Sequence, residues 1–143
     1  MFENMTVRDW MSTPVITVGP KTFINTGSQL MQRHNIRRLV VAEGDKLLGI
    51  VTKGDIREAK PSDATTLSIW ELHYLLAQLT VEKIMTTDVA TVTEDQSVGV
   101  AAQKMLEQKI SGLPVLDNKG KLVGIITESD IFKMVVSQLK VQA

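Results

Sequence analysis

Displaced along itself by 74 positions, this sequence meets its own copy. Val7, Met11, Thr13, Val15, Thr17 and Val18 fall on Val81, Met85, Thr87, Val89, Thr91 and Val92, and Gln29, Met31, Ile36, Leu39 and Val41 fall on Gln103, Met105, Ile110, Leu113 and Val115. Past one inserted residue near Gly120 the displacement becomes 75, and Leu47, Gly49, Ile50, Thr52, Asp55 and Ile56 meet Leu122, Gly124, Ile125, Thr127, Asp130 and Ile131. The register slips only at a turn-like stretch, Glu43-Gly44-Asp45 against Asp117-Asn118-Lys119-Gly120. Such agreement marks a duplicated supersecondary unit. A chain of 143 residues has room for one domain, or for two small halves that share a core, but not for two independent domains. The expected organisation is a first repeat over residues 1–58, a connecting segment over 59–80 and a second repeat over 81–143, both repeats forming one module.

Each copy reads as strand, helix, strand, strand, helix, an α+β fold with a duplicated β-α-β-β-α order. The β-branched runs Val15 to Val18 and Val89 to Val92 predict short strands. Helices follow near Ile24 to His34 and Val98 to Gln108, where Leu30, Met31, Val98, Ala101, Ala102 and Met105 recur at helical spacing. Ser97 suits the N-cap of the second helix, and Thr22 is expected to serve the first, because the counterpart of Ser97 is Phe23. Leu39 to Ala42 and Leu113 to Leu116 then turn through Gly-containing loops into Leu47 to Val51 and Leu122 to Ile126. A hairpin with two helices is too small to cover both faces of its own sheet, so the copies are expected to pack together about an approximate twofold axis.

The connecting segment opens with Lys60-Pro61-Ser62-Asp63. It continues into a predicted helix with Ser68 and Glu71 at capping-box spacing and Ile69, Leu72, Leu75, Leu76 and Leu79 on one face. That face is expected to pack on the module, the other reading being that it meets a partner or a second subunit. Trp10 and Trp70 are expected to be packing anchors, since no basic-aromatic alternation surrounds either. The helix faces carrying Val98, Met105, Leu106, Ile131, Val135 and Leu139 are expected to stay partly uncovered and to form a homodimer.

Composition removes several functions. Sixteen Lys and Arg balance sixteen Asp and Glu, which argues against general nucleic-acid or anionic-membrane binding. The absence of cysteine excludes disulfides, thiolate nucleophiles and Cys zinc sites, and His34 and His73 alone do not suggest a metal centre or a catalytic role. The stretch MFENMTVRDWM has an acidic residue at position 3 and no run of seven apolar residues, so no secretory signal is expected, and Leu67 to Val81 is interrupted by Glu71, His73 and Gln78 and too short to span a bilayer. A cytoplasmic protein with no membrane segment is expected.

The sharpest local pattern is GIVTKGD at Gly49 to Asp55, repeated as GIITESD at Gly124 to Asp130. In each, an apolar strand ends at a threonine and an aspartate follows three residues later, where a helix begins. A capping pair accounts for either one alone. The same turn also offers free amides to a phosphate, and its carboxylate can accept two hydrogen bonds from the vicinal hydroxyls of a ribose. Gly49 and Gly124 either allow a ligand close to the strand or are required by packing.

The duplicated pattern of M-x-x-x-V-x-T-V, I-x-x-L-x-V and G-I-h-T-x-x-D, with h apolar, resembles a pair of CBS domains, the modules named after cystathionine β-synthase. The resemblance runs from Val7 to about Ala59 and from Val81 to about Val136. It implies a compact pair with two clefts for adenosine derivatives such as AMP, ADP, ATP or S-adenosylmethionine, acting as a regulatory ligand rather than a catalytic cofactor, and a homodimer of such pairs. Carried over by position, it implies that Asp130 and Thr127 share a cleft with Ile16, Arg37 and Arg38. Asp55 and Thr52 would share the other with Ala90, Ser111 and Pro114. Where the second copy has Ser111-Gly112-Leu113-Pro114, the first has Arg37-Arg38-Leu39-Val40, so unequal clefts are expected. The guanidinium groups favour tighter nucleotide binding in the Asp130 cleft.

The resulting expectation is a regulatory module that senses an adenosine-containing ligand. No catalytic, channel or DNA-binding domain accompanies the repeats in this sequence, so the effector is expected on another chain. An enzyme is disfavoured because no nucleophile, base and orienting group assemble from the pattern. The alternative is a ligand-independent scaffold in which the T-x-x-D elements only cap helices.

Overall fold

In the computed structural model, which describes residues 4–60 and 66–139, the chain divides into two compact units. One comprises residues 16–89 and the other residues 1–15 with 90–143. Residues 61–63 of the connecting segment, including Ser62 and Asp63, lie outside the described residues.

In the unit of residues 16–89, strand β1 (Thr17–Val18), helix α2 (Ile24–His34), strands β2 (Arg38–Glu43) and β3 (Lys46–Thr52) and helix α3 (Lys53–Ala59) follow the expected order. β1 runs parallel to β2, and β3 returns antiparallel, pairing Arg38 with Thr52 and Leu39 with Val51. Leu39 to Ala42 are buried in succession, as a central strand covered on both faces requires. Gly44, at φ +57, provides the left-handed residue of the hairpin turn. Val18, Ile24, Met31, Leu39, Val41, Val51, Ile56 and Val81 form the core.

The other unit repeats this plan with β4 (Val92–Thr93), α5 (Val98–Gln108), β5 (Gly112–Leu116), β6 (Leu122–Thr127) and α6 (Glu128–Leu139), and adds α1 (Val7–Trp10). Its strands are ordered β4-β5-β6, parallel and then antiparallel. Val7, Val92, Val98, Ala101, Met105, Leu113, Val115, Ile126 and Met134 fill its core. α2 and α5 end alike, with Asn35 (φ 52) and its counterpart Lys109 (φ 56) in the left-handed region.

The opening segment of each repeat therefore completes the core built by the other. Val7 packs with β4, β5 and β6, and the amides of Val7 and Arg8 donate to the carbonyls of Gln96 and Glu94 at 2.9 and 3.0 Å. Val81, its counterpart, packs with the first sheet and donates to the Thr22 carbonyl at 2.8 Å. Both openings carry a helical turn, α1 in one and a 3₁₀ turn at Val81–Lys83 in the other.

Several sequence expectations need correction. β1 and β4 are two residues long and lie later than the β-branched runs suggested, because parallel pairing holds only Thr17, Val18, Val92 and Thr93. Thr22 does not cap α2. Phe23 occupies the N-cap position without a side-chain bond, and the Ile24 amide is satisfied by the Leu79 carbonyl instead. Ser97 does cap α5, accepting from the Val100 amide at 3.3 Å. Val98 and Met105 are core residues, so the exposed surface is carried by Val100 and Leu106 on α5 and by Phe132, Val136 and Leu139 on α6. Ile131 and Val135 pack against the core from the same helix.

The connecting helix α4 (Ile69–Gln78) is capped by Ser68, whose hydroxyl accepts from the Glu71 amide at 3.2 Å. It rests on the first core through Leu76, with Leu79 just beyond its end, while Ile69 and Leu75 remain exposed. Trp70 is 80% exposed and anchors nothing among the described residues, whereas Trp10 packs on the core beside Val7. Among the described residues no helix is long and apolar enough to cross a membrane.

Candidate functional site

The two T-x-x-D elements occupy matching junctions, β3 into α3 and β6 into α6. Each strand carries its apolar residues into the sheet and ends at a half-buried threonine. In the first element the Thr52 hydroxyl accepts from the Asp55 amide at 3.1 Å, and the Thr52 amide donates to Asp55 Oδ2 at 2.8 Å. This is a complete capping box. Among the described residues the Asp55 carboxylate has no further partner, which leaves Oδ1 open.

The second element is wired differently. The Thr127 amide and hydroxyl both donate to Asp130 Oδ2, at 2.9 and 3.2 Å. Asp130 Oδ1 receives the Ser12 hydroxyl at 3.1 Å from a residue 118 positions away. With these donors Asp130 is 5% exposed, the one polar residue buried among those described. Burial of a carboxylate is tolerated here because its lone pairs are met by hydrogen-bond donors.

Ser12 reaches this position because its backbone is bridged to β6, donating to the Ile125 carbonyl at 2.8 Å and accepting from the Ile125 amide at 3.1 Å. Its counterpart Thr86 makes the same two bonds with Ile50, at 2.9 and 3.0 Å, but its hydroxyl makes no bond to Asp55. Gly49 and Gly124 serve this docking. A Cβ on Gly49 would stand 2.6 Å from Met85 Sδ and 2.8 Å from the Thr86 carbonyl, and one on Gly124 would stand 2.6 Å from Met11 Sδ. Of the two roles open to these glycines, the structure displays packing.

Thr52, Asp55, Ile16, Arg37 and Arg38 belong to one unit, and Thr127, Asp130, Ala90, Ser111 and Pro114 to the other. Within each unit the segment entering the middle strand lies against its own T-x-x-D element. The Lys53 amide donates to the Arg37 carbonyl and the Glu128 amide to the Ser111 carbonyl, both at 3.0 Å. Arg37 is exposed, Arg38 half-buried and Pro114 buried within β5. The contribution of Ser12 was missed from the sequence, which holds no local signal for a contact between residues so far apart. Among the described residues no three His, Cys, Asp or Glu side chains gather to hold a metal ion.

The family model described as "CBS domain" matches residues 7–62 and 81–137. Over 129 residues the chain is 36% identical to an L-aspartate semialdehyde sulfurtransferase of Methanocaldococcus jannaschii, covering 90% of this chain and 23% of the relative. The chain spans about a quarter of the length of this relative and of the homoserine O-acetyltransferase of Methanosalsum zhilinae, of which 24% is covered at 34% identity. Among solved structures, the CBS domain pair of protein MJ0100 in complex with 5′-methylthioadenosine and S-adenosyl-L-methionine superposes with a TM-score of 0.75 at 32% identity. That match covers 94% of this chain and 98% of the other. CBSX2 in complex with AMP superposes with a TM-score of 0.79 at 27% identity, covering 96% and 99%. With both repeats matched by the family model, each built as a three-stranded sheet flanked by helices, the chain belongs to the CBS domain family as a tandem pair.

Proposed function

We propose that this CBS pair is a regulatory module that binds an adenosine-containing ligand, AMP, ADP, ATP or S-adenosylmethionine, at its two Thr–Asp elements. In this reading the bound state is passed to an effector protein. The observation that carries it is the repeated constellation of a strand-end threonine with an aspartate three residues on, present in both units. A carboxylate so placed accepts paired hydroxyls, and the first turn of the adjoining helix favours negative charge nearby. The neighbouring complexes with AMP, S-adenosylmethionine and methylthioadenosine support the choice of ligand class, since all three contain adenosine.

The ligand acts by differential affinity for two states of the pair, as any such signal must. Energy sensing is the corresponding role for AMP and ATP. The protein works in the cytoplasm as a homodimer, joined through the exposed apolar residues of α5 and α6. A ligand-independent scaffold is favoured by one observation, the engagement of both Asp130 oxygens within the protein. Thermal denaturation separates the readings. A ligand at one hundred times its dissociation constant adds about 2.7 kcal/mol to a native state that alone binds it, enough to raise Tm by several degrees. An unchanged Tm with all four ligands at millimolar concentration would favour the scaffold.

A further inference from the structure

We infer that Ser12 competes with ligand hydroxyls for the Asp130 carboxylate and sets the affinity of that site below what its Thr–Asp element alone would give. The inference rests on the reading of Asp130 as a diol acceptor. It follows from counting donors against lone pairs. An ionised carboxylate has about four acceptor positions, two on each oxygen. Among the described residues Asp55 uses one, for the Thr52 amide. Asp130 uses three, for the Thr127 amide, the Thr127 hydroxyl and the Ser12 hydroxyl.

A vicinal diol brings two donors. Asp55 accommodates both with no rearrangement, whereas Asp130 has one position left, on Oδ1. One existing donor must withdraw. The Thr127 amide is backbone and held in β6, and the Thr127 hydroxyl shares Oδ2 with that amide. Withdrawal of the Ser12 hydroxyl instead leaves Oδ1 free to take both ligand hydroxyls. Ser12 is bridged to Ile125 through its backbone, so its hydroxyl leaves by rotation about χ1 without moving the main chain. Its bond to Asp130 is then replaced by one to water, and Ser12 is exposed enough for that exchange.

The counterpart position shows that the contact is not a requirement of the fold. Thr86 has the same backbone bridge and also carries a hydroxyl, yet makes no bond to Asp55. Removal of the Ser12 hydroxyl should therefore strengthen diol binding at Asp130 and leave the Asp55 site as it is. A net hydrogen bond of typical strength corresponds to roughly a fivefold change in affinity.

Calorimetric titration with AMP tests this on an Asp55→Ala background, in which Asp130 is the remaining acceptor. Addition of Ser12→Ala should tighten AMP binding by roughly fivefold, and the gain should vanish with 2′-deoxy-AMP, whose single ribose hydroxyl fits the position already free. On an Asp130→Ala background, Ser12→Ala should change nothing. Equal or weaker AMP affinity in Asp55→Ala/Ser12→Ala than in Asp55→Ala overturns the inference, as does an equal gain for the deoxy analogue. Absence of binding from both Asp55→Ala proteins while the unsubstituted chain binds AMP also overturns it. If the unsubstituted chain does not bind AMP but binds S-adenosylmethionine, ADP or ATP, the same comparison is made with that ligand; if it binds none of the four, the diol-acceptor reading of this site fails, and the inference with it.

Discussion

Arg8 bonds Asp95 at 2.5 Å, an ion pair spanning 87 positions that fastens α1 to the segment before α5. Glu94 lies 3.3 Å from the same guanidinium. The repeat counterparts of Arg8 and Asp95 are Glu82 and Lys21, which also pair, at 2.6 Å, with the charges exchanged. The exchange has a consequence for folding. Docked on its own repeat, the first opening would set Arg8 toward Lys21, and the second would set Glu82 toward Asp95. Like charges oppose that arrangement, and the observed pairs favour the crossed one.

Exposed ion pairs contribute little individually and are screened by salt. Arg8→Glu and Asp95→Lys should each lower Tm slightly at low ionic strength, by an amount that shrinks in concentrated salt. The double variant Arg8→Glu/Asp95→Lys should recover part of the loss, the Glu94 carboxylate preventing full recovery. Strict additivity in the double-mutant cycle would mean that the contact is energetically silent.

Gly49→Ala should cost more stability than Gly124→Ala. At Gly49 the new methyl meets both a thioether and the Thr86 carbonyl, and that carbonyl is held by the Ile50 amide at 3.0 Å. At Gly124 the worst contact is with flexible Met11, and the nearest carbonyl, that of Ser12, is 3.2 Å away. Overpacking at a site that cannot relax costs about 1–3 kcal/mol. Urea denaturation should show a clear fall in midpoint for Gly49→Ala and a smaller one for Gly124→Ala; the reverse order would refute this packing account.

Asp117 supplies the pH-dependent element. Amide hydrogen bonds from Lys121 and Lys119 hold its carboxyl below the usual aspartate value of 3.8. Because the folded value is depressed, its contribution to stability is present above the unfolded pKa and is lost as pH falls through the folded one. An NMR titration should place the Asp117 midpoint below 3.8, and Asp117→Ala should bring acid and neutral stabilities closer together. A midpoint above 3.8 would show that the turn does not hold the carboxylate in solution.

The proposed homodimer is tested by light scattering, which should give twice the 15.8 kDa chain mass. Phe132 and Leu106 are 67% and 81% exposed, so Phe132→Lys and Leu106→Lys change surface rather than core. Both substitutions should shift the mass toward 15.8 kDa without a matching loss of helix signal. A monomeric mass for the unsubstituted chain at all concentrations would remove the dimer.

What was legible in the sequence was local. The 3.6-residue rhythm around Met31 and Met105 located α2 and α5 to within a residue, and the hairpins followed from apolar runs separated by Gly-containing turns. The T-x-x-D spacing located both capping elements. What remained hidden depended on distance along the chain. Val7 and Val81 are equivalent in a repeat, so their likeness cannot tell which core each fills. Ser12 and Asp130 meet across 118 positions, and nothing near either residue announces it. Val98 and Met105 were expected on an uncovered face, but α1 and α6 pack beside α5 and bury them. Trp70 failed as a packing anchor because α4 touches the core near its C-terminal end.

The most direct test of the central claim is a two-dimensional amide NMR titration of the unsubstituted protein with AMP. Saturable shifts are expected at Thr52, Asp55, Thr127 and Asp130, with the resonances of the Thr52–Asp55 element moving at lower AMP concentration because its carboxylate is less engaged, the reverse of the order expected from Arg37 and Arg38. Saturable shifts confined to other surfaces, such as the exposed α4 face of Trp70 and Tyr74, or no shifts with AMP, ADP, ATP or S-adenosylmethionine at millimolar concentration, would contradict that claim.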